Sequence, residues 1–333
     1  MAVVLAWAAA VAPPTPPLRA QPPAAPEQPT TGTPSGSVYR RGGASAASKP
    51  PAPPVAGLPT VEGDPRDAQQ AERIVAAALA GLGRVDSISA RLRQRVRIGD
   101  RVLVGAGRYV QSGQGEDQRY RLESAMKSDT ETFEVLEVCD GLFAWSYRRL
   151  GPHPAQIERF DVRRVRERLR SLDVADDASI SPYLGGLQRT LSLVRDWFRF
   201  VSVEPAAIDD MPVWVIMGRW NPESLAAILP DRAEAARRPE GIAAEELPDG
   251  MPWGVRLSIG RRDLFPFRIE WLAIPGRRPV SPGPPEPIAV MELYEVRLGE
   301  PVDAAAFVYK PAAEDGLLDL TDAHVKSLAP LRP

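Results

Sequence analysis

The sequence predicts an α+β protein built on a wide antiparallel sheet that has one apolar face. Two-residue alternations recur along the chain, and the first runs from Arg91 to Ile98. Successive side chains of a strand point to opposite faces, so its arginines share a wet face while Leu92 and Val96 share a dry one. Between Phe160 and Phe198 the period changes from two to about 3.6, which predicts helices that can cover the dry face.

The order of elements is a helix, a meander of strands, a helical insertion and more strands. The first helix begins at Asp64-Pro65 and is expected to end at Gly83. Turn pairs such as Asp140-Gly141 separate the first strands. The predicted strands are Ala90 to Ile98, Arg101 to Gln111, Gln118 to Met126, Thr132 to Cys139, Leu142 to Arg148, Val201 to Val203, Val213 to Trp220, Trp253 to Ile259, Leu264 to Ile274 and Ile288 to Leu298. Two helices are expected in the insertion, and a third follows the capping residue Asn221.

The charge balance argues against nucleic acid as a partner. The chain of 333 residues has 41 Lys and Arg against 43 Asp and Glu, a formal net charge of -2. Such a balance gives no overall field to attract nucleic acid or an anionic membrane surface. The arginine-rich stripes lack interleaved aromatic residues, so they are interpreted as solvated faces.

The first 63 residues resemble an export signal followed by a linker. Residues 1–20 include a short apolar run from Ala2 to Ala12, the length of a signal-peptide core, with a cleavage site after Ala20. No Lys or Arg precedes that run, so an upstream start or a retained inner-membrane anchor stays open. Fifteen of the 36 prolines fall between Pro13 and Pro65, which predicts a disordered linker over 21–63. The folded domain is expected over 64–315, with a C-terminal tail over 316–333.

The inventory of reactive residues predicts a protein without catalytic, metal or cofactor sites. Cys139 is the single cysteine, so there is neither an intramolecular disulfide nor an N-terminal cysteine for a lipid anchor. The two histidines, His153 and His324, lie outside any metal-ligand or catalytic-triad spacing. A hydrolase that uses Asp140 or Asp161 is the alternative, although Asp140 more simply serves the Asp-Gly turn.

Three motifs in order resemble the periplasmic outer-membrane lipoprotein carriers of the LolA type. They are Gly105-Ala106-Gly107 in the second strand, Asp140-Gly141 followed by Phe143, Trp145 and Tyr147, and Val302-Asp303 with Phe307, Tyr309 and Pro311. The resemblance implies an unclosed β-barrel, a half-barrel sheet with helices covering its apolar face. It places the third motif in the carriers' last strand. The carriers' Arg-Pro pair after the G-x-G strand has no counterpart here, so the lid-controlling role of that arginine is not transferred.

The same resemblance implies a non-enzymatic, soluble and monomeric periplasmic carrier. Its ligands are lipoprotein acyl chains or another lipid, and its partners are an inner-membrane lipoprotein exporter and an outer-membrane receptor. A regulatory or scaffold module that binds a protein partner with the same fold is the alternative, and it predicts a largely filled sheet face.

Strand and helix periods predict which residues line the ligand cavity. The predicted lining residues are Val96, Val104, Leu122, Phe143, Trp145, Trp253, Leu257, Phe267 and Trp271, and the predicted lid residues are Leu187, Leu191 and Val194. A shift of one residue in strand register would turn each strand's residues to the opposite face.

Overall fold

One twelve-stranded sheet dominates the fold. In this computed structural model the described residues are 64–99, 101–128, 131–174, 180–238, 241–243, 246–274, 287–311 and 316–328. The predicted signal peptide and linker lie outside these residues. The strands are β1 Ser87–Ile98, β2 Arg101–Ser112, β3 Arg119–Lys127, β4 Thr132–Cys139, β5 Phe143–Leu150, β6 Gln156–Asp161, β7 Phe198–Ile208, β8 Met211–Trp220, β9 Gly254–Gly260, β10 Pro266–Leu272, β11 Pro287–Leu298 and β12 Leu317–Asp319.

The sheet is antiparallel except at one edge and does not close into a barrel. Its strand order is β12-β6-β5-β4-β3-β2-β1-β11-β10-β9-β8-β7, and only the β12–β6 pair is parallel. The predicted meander and the predicted later strands are confirmed within a few residues at their ends. Strand β6 was not predicted, because the prolines at 152 and 154 precede a short segment with a weak alternation.

Seven α-helices accompany the sheet within the described residues. They are α1 Pro65–Arg84, α2 Val162–Arg170, α3 Ser181–Leu184, α4 Gly186–Trp197, α5 Pro222–Ile228, α6 Ala233–Arg237 and α7 Thr321–Ser327. Helix α1 begins where the sequence predicts, because the Asp64 carboxylate accepts a hydrogen bond from the Arg66 amide at 2.8 Å. Its buried residues recur at helical spacing and face the sheet: Ala71, Val75, Ala78 and Leu82.

The two faces of the sheet differ sharply in chemistry. The inner face, on which α1 and α4 pack, carries Ile88, Leu92, Val96, Tyr109, Leu122, Met126, Leu257, Ile269 and Met291 in one buried cluster. The outer face carries the charged alternation that the sequence predicts. Arg91 there pairs with Glu295 at 2.9 Å, and Arg93 pairs with Glu292 at 3.7 Å.

The G-x-G motif marks a close approach between β2 and β3. A Cβ atom placed on Gly105 would lie 2.8 Å from the Met126 Cα, and one on Gly107 would lie 2.9 Å from the Ser124 Cα. Real Cβ atoms do not approach backbone so closely, so only glycine permits this spacing. The motif is therefore explained by strand packing.

The third motif of the resemblance does not form a strand, which corrects the prediction. Residues Ala304–Phe307 form a 3-10 turn, and the Asp303 carboxylate accepts a hydrogen bond from the Ala305 amide at 2.9 Å. Phe307 is buried, and the Tyr309 ring lies 5.6 Å from the Trp145 ring on the outer face. The segment packs on the outer face because its aromatic residues meet aromatic residues of β5.

The C-terminal segment, which the sequence analysis assigns to a tail, joins the edge of the sheet. Strand β12 pairs with β6, and the Asp319 carboxylate accepts hydrogen bonds from the Arg159 guanidinium at 3.1 and 2.8 Å. Helix α7 follows and buries His324 against the Phe160 ring, with 4.5 Å between the ring centroids. Leu328, which follows this helix, is buried in the core cluster.

Candidate functional site

Helix α4 fills the middle of the inner face. Its apolar side chains Leu187, Leu191 and Val194 are 0%, 0% and 2% exposed. The Arg195 guanidinium donates a hydrogen bond to the Glu72 carboxylate at 2.7 Å and so ties α4 to α1. The predicted lid residues are thus core residues in this structure, and the sheet face beneath them is covered.

A small groove remains between the second half of α4 and the sheet. Its volume is about 50 Å³, whereas pockets for drug-sized ligands have volumes of roughly 300–1,000 Å³. Fourteen residues line it: Gln94, Val96, Leu122, Ser124, Val135, Glu137, Thr190, Leu193, Val194, Trp197, Trp271, Ala289, Val290 and Met291. Most of this wall is apolar, so the groove suits hydrocarbon.

Four of the predicted residues meet at this groove. Val96 on β1, Leu122 on β3 and Trp271 on β10 form part of the sheet wall, and Val194 lies opposite them on α4. Leu187, Leu191 and Leu257 are buried in the surrounding core. Whether any of these residues binds a ligand stays a prediction.

Three predicted residues lie on the opposite face, which corrects their assignment. Val104 is 55% exposed, and the glycines beside it occupy the inner positions of β2. Phe143 and Trp145 point outward, since Ala144 between them is buried in the inner cluster. The Arg159 guanidinium stacks over the Phe143 and Trp145 rings at 4.9 and 5.8 Å. On this outer face the Tyr309 ring packs against the Trp145 ring, with 5.6 Å between the ring centroids.

Two further predicted residues lie away from the groove. The Trp253 ring lies beneath the Arg219 guanidinium, 3.0 Å from the ring centroid. Phe267 packs edge-on against Phe265, with 5.1 Å between the ring centroids. Neither is among the residues that line the groove. The two-residue alternation places Trp253 and Phe267 on an apolar face. It does not predict at which point along the strand a cavity lies.

Comparisons with known proteins found similar solved structures at low sequence identity. No protein-family model and no curated protein matches the sequence. LprF from Mycobacterium bovis is 10% identical with a TM-score of 0.33, and the match covers 73% of this chain and 97% of LprF. A LolA superfamily protein from Nitrosomonas europaea is 14% identical with a TM-score of 0.24, covering 72% of this chain and 97% of that protein. A chain of the Pseudomonas aeruginosa MucA/MucB complex is 13% identical with a TM-score of 0.33, covering 75% of this chain and 63% of that chain.

An unclosed sheet with helices on its inner face is the architecture that the sequence resemblance implies. At 10–14% identity and TM-scores of 0.24–0.33 these structures assign neither a family nor a function to the chain, so what it does has to be argued from its groove.

The polar groups of the groove were missed by the sequence analysis. Glu137 occupies an inner position of β4, in line with Val135 and Cys139, and is 4% exposed. A carboxylate at an apolar position of a strand alternation was the available signal. The other polar lining residues are Gln94, Ser124 and Thr190. The Ser124 hydroxyl donates a hydrogen bond to the Gln94 side-chain carbonyl at 2.5 Å.

Glu137 holds the N-terminal end of α4. Its carboxylate accepts a hydrogen bond from the Gly186 amide at 2.9 Å. Burial raises the pKa of Glu137 to about 6, while this hydrogen bond and the positive charges of Arg148 and Arg189 act in the opposite direction. The ionised carboxylate is therefore held in an environment that disfavours its charge.

The turn into α4 requires glycine. Gly186 has a φ of +72°, in the left-handed region that favours glycine. A Cβ atom on Gly186 would lie 3.0 Å from a ring carbon of Tyr120, and one on Gly185 would lie 3.0 Å from a Glu137 carboxylate oxygen. The two glycines thus let the start of α4 sit directly against Tyr120 and Glu137.

Replacing Glu137 by glutamine is expected to stabilise this protein at alkaline pH. The folded pKa of Glu137, about 6, lies above its ordinary value of 4.5, so the folded state binds more protons between these values. Stability is then greatest below pH 4.5 and decreases as the pH rises towards 6, by about 2 kcal/mol in total. At pH 8 glutamate has to carry a negative charge in the buried site, whereas glutamine is neutral. We therefore expect the free energy of unfolding in urea to increase by about that amount at pH 8.

The matched control for this prediction is Glu134→Gln on the same strand. Glu134 lies on the outer face and pairs with Arg149 at 2.7 Å, with both side chains partly exposed to solvent. Its replacement should change stability by less than about 0.5 kcal/mol. Equal effects of the two substitutions would contradict the burial argument.

The two acidic residues that a hydrolase was expected to use, Asp140 and Asp161, form hydrogen bonds to backbone amides. The Asp140 carboxylate accepts hydrogen bonds from the Leu142 and Phe143 amides, both at 2.8 Å. The Asp161 carboxylate caps α2 by accepting a hydrogen bond from the Arg163 amide at 2.9 Å. Among the described residues no cluster of His, Cys, Asp and Glu could hold a metal ion.

Burial disfavours the thiolate of Cys139, which is the reactive form of a cysteine. The thiol is free and buried, and burial raises its pKa to about 12. In the part of the chain that the structure describes, no helix has the length and apolar character needed to cross a bilayer.

Proposed function

We propose that this chain is a non-enzymatic periplasmic carrier that shelters acyl chains of lipoproteins or another lipid beneath helix α4. The observation that supports it is the apolar groove between α4 and five strands of the sheet. An inner-membrane exporter and an outer-membrane receptor are the partners that this role would require.

Binding in this proposal exchanges protein side chains for an acyl chain. The groove of about 50 Å³ is too small for an acyl chain, so α4 has to move away from the sheet. Exposing Leu187, Leu191 and Val194 costs about 1.5–3 kcal/mol each, or roughly 5–9 kcal/mol. Burying about 14 methylenes contributes roughly 11 kcal/mol. The two quantities are similar, so an acyl chain can displace the helix and still be released later.

The direct test is to look for cargo. The full chain is purified from its own cell envelope without detergent and examined by native mass spectrometry, followed by organic extraction. A defined additional mass that the extraction identifies as an acyl-bearing molecule supports the carrier. A clean protein mass that is unchanged after incubation with lipid vesicles contradicts it.

A groove-filling substitution tests the location of the binding site. Ala289 lines the groove on β11, so Ala289→Leu places an isobutyl group in a cavity of about 50 Å³. We expect lipid uptake to fall at least about tenfold, a loss of about 1.4 kcal/mol in binding. The matched control is Ala106→Leu, an exposed position on the outer face of β2. Equal uptake by the two variants would place the ligand elsewhere.

One observation favours a second candidate, a regulatory or scaffold module. The inner face is already filled by the chain's own helices, as that alternative predicts. If the chain has this second function, we expect it to be isolated from envelope extract together with one stoichiometric protein partner and without lipid. Lipid in the native mass spectrum and no such partner would exclude it.

A further inference from the structure

We propose that the groove selects amphiphiles whose polar end carries N–H donors, an amine above all, and that Glu137 is the group that recognises that end. This inference rests on the proposed carrier function and specifies the class of its ligand. It adds a polar requirement to a site whose apolar walls would otherwise accept any hydrocarbon chain once α4 has moved.

The distribution of charge in the groove supports the choice of ligand. Of the fourteen described residues that line it, Glu137 alone is charged. Gln94, Ser124 and Thr190 add neutral hydrogen-bonding groups, and the remaining lining residues are apolar. A head group that enters with the acyl chain therefore meets a negative charge in a water-poor environment, where hydrogen bonds to charged groups are strong.

The Glu137 carboxylate has unused hydrogen-bonding capacity. A carboxylate offers about four lone-pair sites, and among the described residues the Gly186 amide is the donor that it accepts from, at 2.9 Å. An ammonium group carries three N–H donors. It can satisfy the remaining sites and neutralise a charge that burial disfavours.

The cations near Glu137 are engaged elsewhere. Arg148 forms an ion pair with Glu158, and the Arg189 guanidinium donates a hydrogen bond to the Pro182 carbonyl at 3.1 Å. Neither arginine lines the groove, nor do Tyr109 and Tyr120, the ionisable phenols packed at the same turn. The position open to a cation from the groove is thus the one beside Glu137.

Recognition at this position is also coupled to movement of α4. The oxygen that would receive a ligand N–H belongs to the carboxylate that holds the Gly186 amide. Both donors then share one carboxylate, and the ligand N–H draws negative charge away from the hydrogen bond to Gly186. Binding of the head group therefore weakens the attachment of the α4 N-terminus without displacing the amide, while the acyl chain replaces the apolar side chains of α4. The same residue then selects the ligand and helps to open the site.

The experiment compares three ligands that share one chain length. Dodecylamine, dodecanol and dodecanoate are titrated at pH 8 into the wild-type protein, Glu137→Gln and the outer-face control Glu134→Gln. All concentrations stay below the solubility of dodecanol and below the critical micelle concentrations of the two ionic ligands. Binding is measured by calorimetry. In the wild type we expect the amine to bind about tenfold more tightly than the alcohol, and the carboxylate about tenfold more weakly. Glu137→Gln should bring the three affinities within about threefold of one another, and Glu134→Gln should leave the wild-type order intact.

The outcomes separate this inference from the proposed function. Equal affinities for the three ligands in the wild type, or an amine preference that survives Glu137→Gln, would overturn the role of Glu137 and leave the carrier proposal standing. If none of the three binds and the native mass spectrum shows no lipid, the carrier proposal fails and the inference fails with it.

Discussion

Replacing Gly107 by alanine is expected to destabilise the protein by about 3 kcal/mol, because the added methyl group would enter backbone of the neighbouring strand. Its Cβ would lie 2.8 Å from the Glu123 carbonyl carbon and 2.9 Å from the Ser124 Cα, and it would contact the Glu123 oxygen more closely still. Backbone atoms cannot rotate away as a side chain can. Strands β2 and β3 would have to separate, with loss of ladder hydrogen bonds worth about 1 kcal/mol each.

The measurement is urea denaturation, and the matched control is the same substitution at Gly81. Gly81 lies inside helix α1 and has no atom within 4 Å of an added Cβ. There, alanine should stabilise the protein by about 0.5–1 kcal/mol because it favours the helix. The two substitutions are thus expected to shift the midpoint in opposite directions. A stable Gly107→Ala protein would show that the sheet can widen at this point.

A pH dependence centred on His324 is the second large effect. Burial, followed by the positive charge of Arg189, lowers the pKa of His324 from 6.5 to about 4. Between these values the unfolded chain binds more protons than the folded protein. The free energy of unfolding therefore decreases as the pH falls from about 6.5 to about 4, by about 3 kcal/mol in total.

The effect of His324 is best measured in the Glu137→Gln protein. Glu137 acts in the opposite direction between pH 4.5 and about 6, so the two groups partly cancel in the wild type. In the Glu137→Gln background we expect a steep loss of stability on acidification. Adding His324→Gln should flatten that loss, whereas His153→Gln, at an exposed position, should not. A slope that persists in the His324→Gln protein would assign it to other groups.

Much of the fold could be predicted from local patterns. Strand alternations located most of the sheet, and the Asp64-Pro65 start of α1 follows directly from capping chemistry. The prediction that the Val302 to Pro311 motif forms a strand was wrong. Its Tyr309 ring instead packs on the outer face against Trp145. A short motif indicates which residues will be buried. The surface against which they pack depends on the rest of the chain.

The candidate site was only partly accessible to the same reasoning. Val96, Leu122, Trp271 and Val194 were selected by period, and the fold brings them to one groove. Phe143 and Trp145 belong to an equally clear alternation, yet they face outward. An alternation separates the two faces of a strand but does not say which face is the inner one. The sequence analysis did not select Glu137. Its role in holding the start of α4 depends on a hydrogen bond from the Gly186 amide, which is remote from it in sequence.

The sequence by itself determined the class of the fold, the wet and dry faces of its strands and the absence of familiar catalytic motifs, because these depend on near neighbours along the chain. Only the tertiary structure decided that α4 fills the inner face, that about 50 Å³ remains beneath it and that a single carboxylate lines that space. The physical reason is that cavities and buried charges arise where distant segments meet. Their positions depend on how those segments pack, which a local period does not encode.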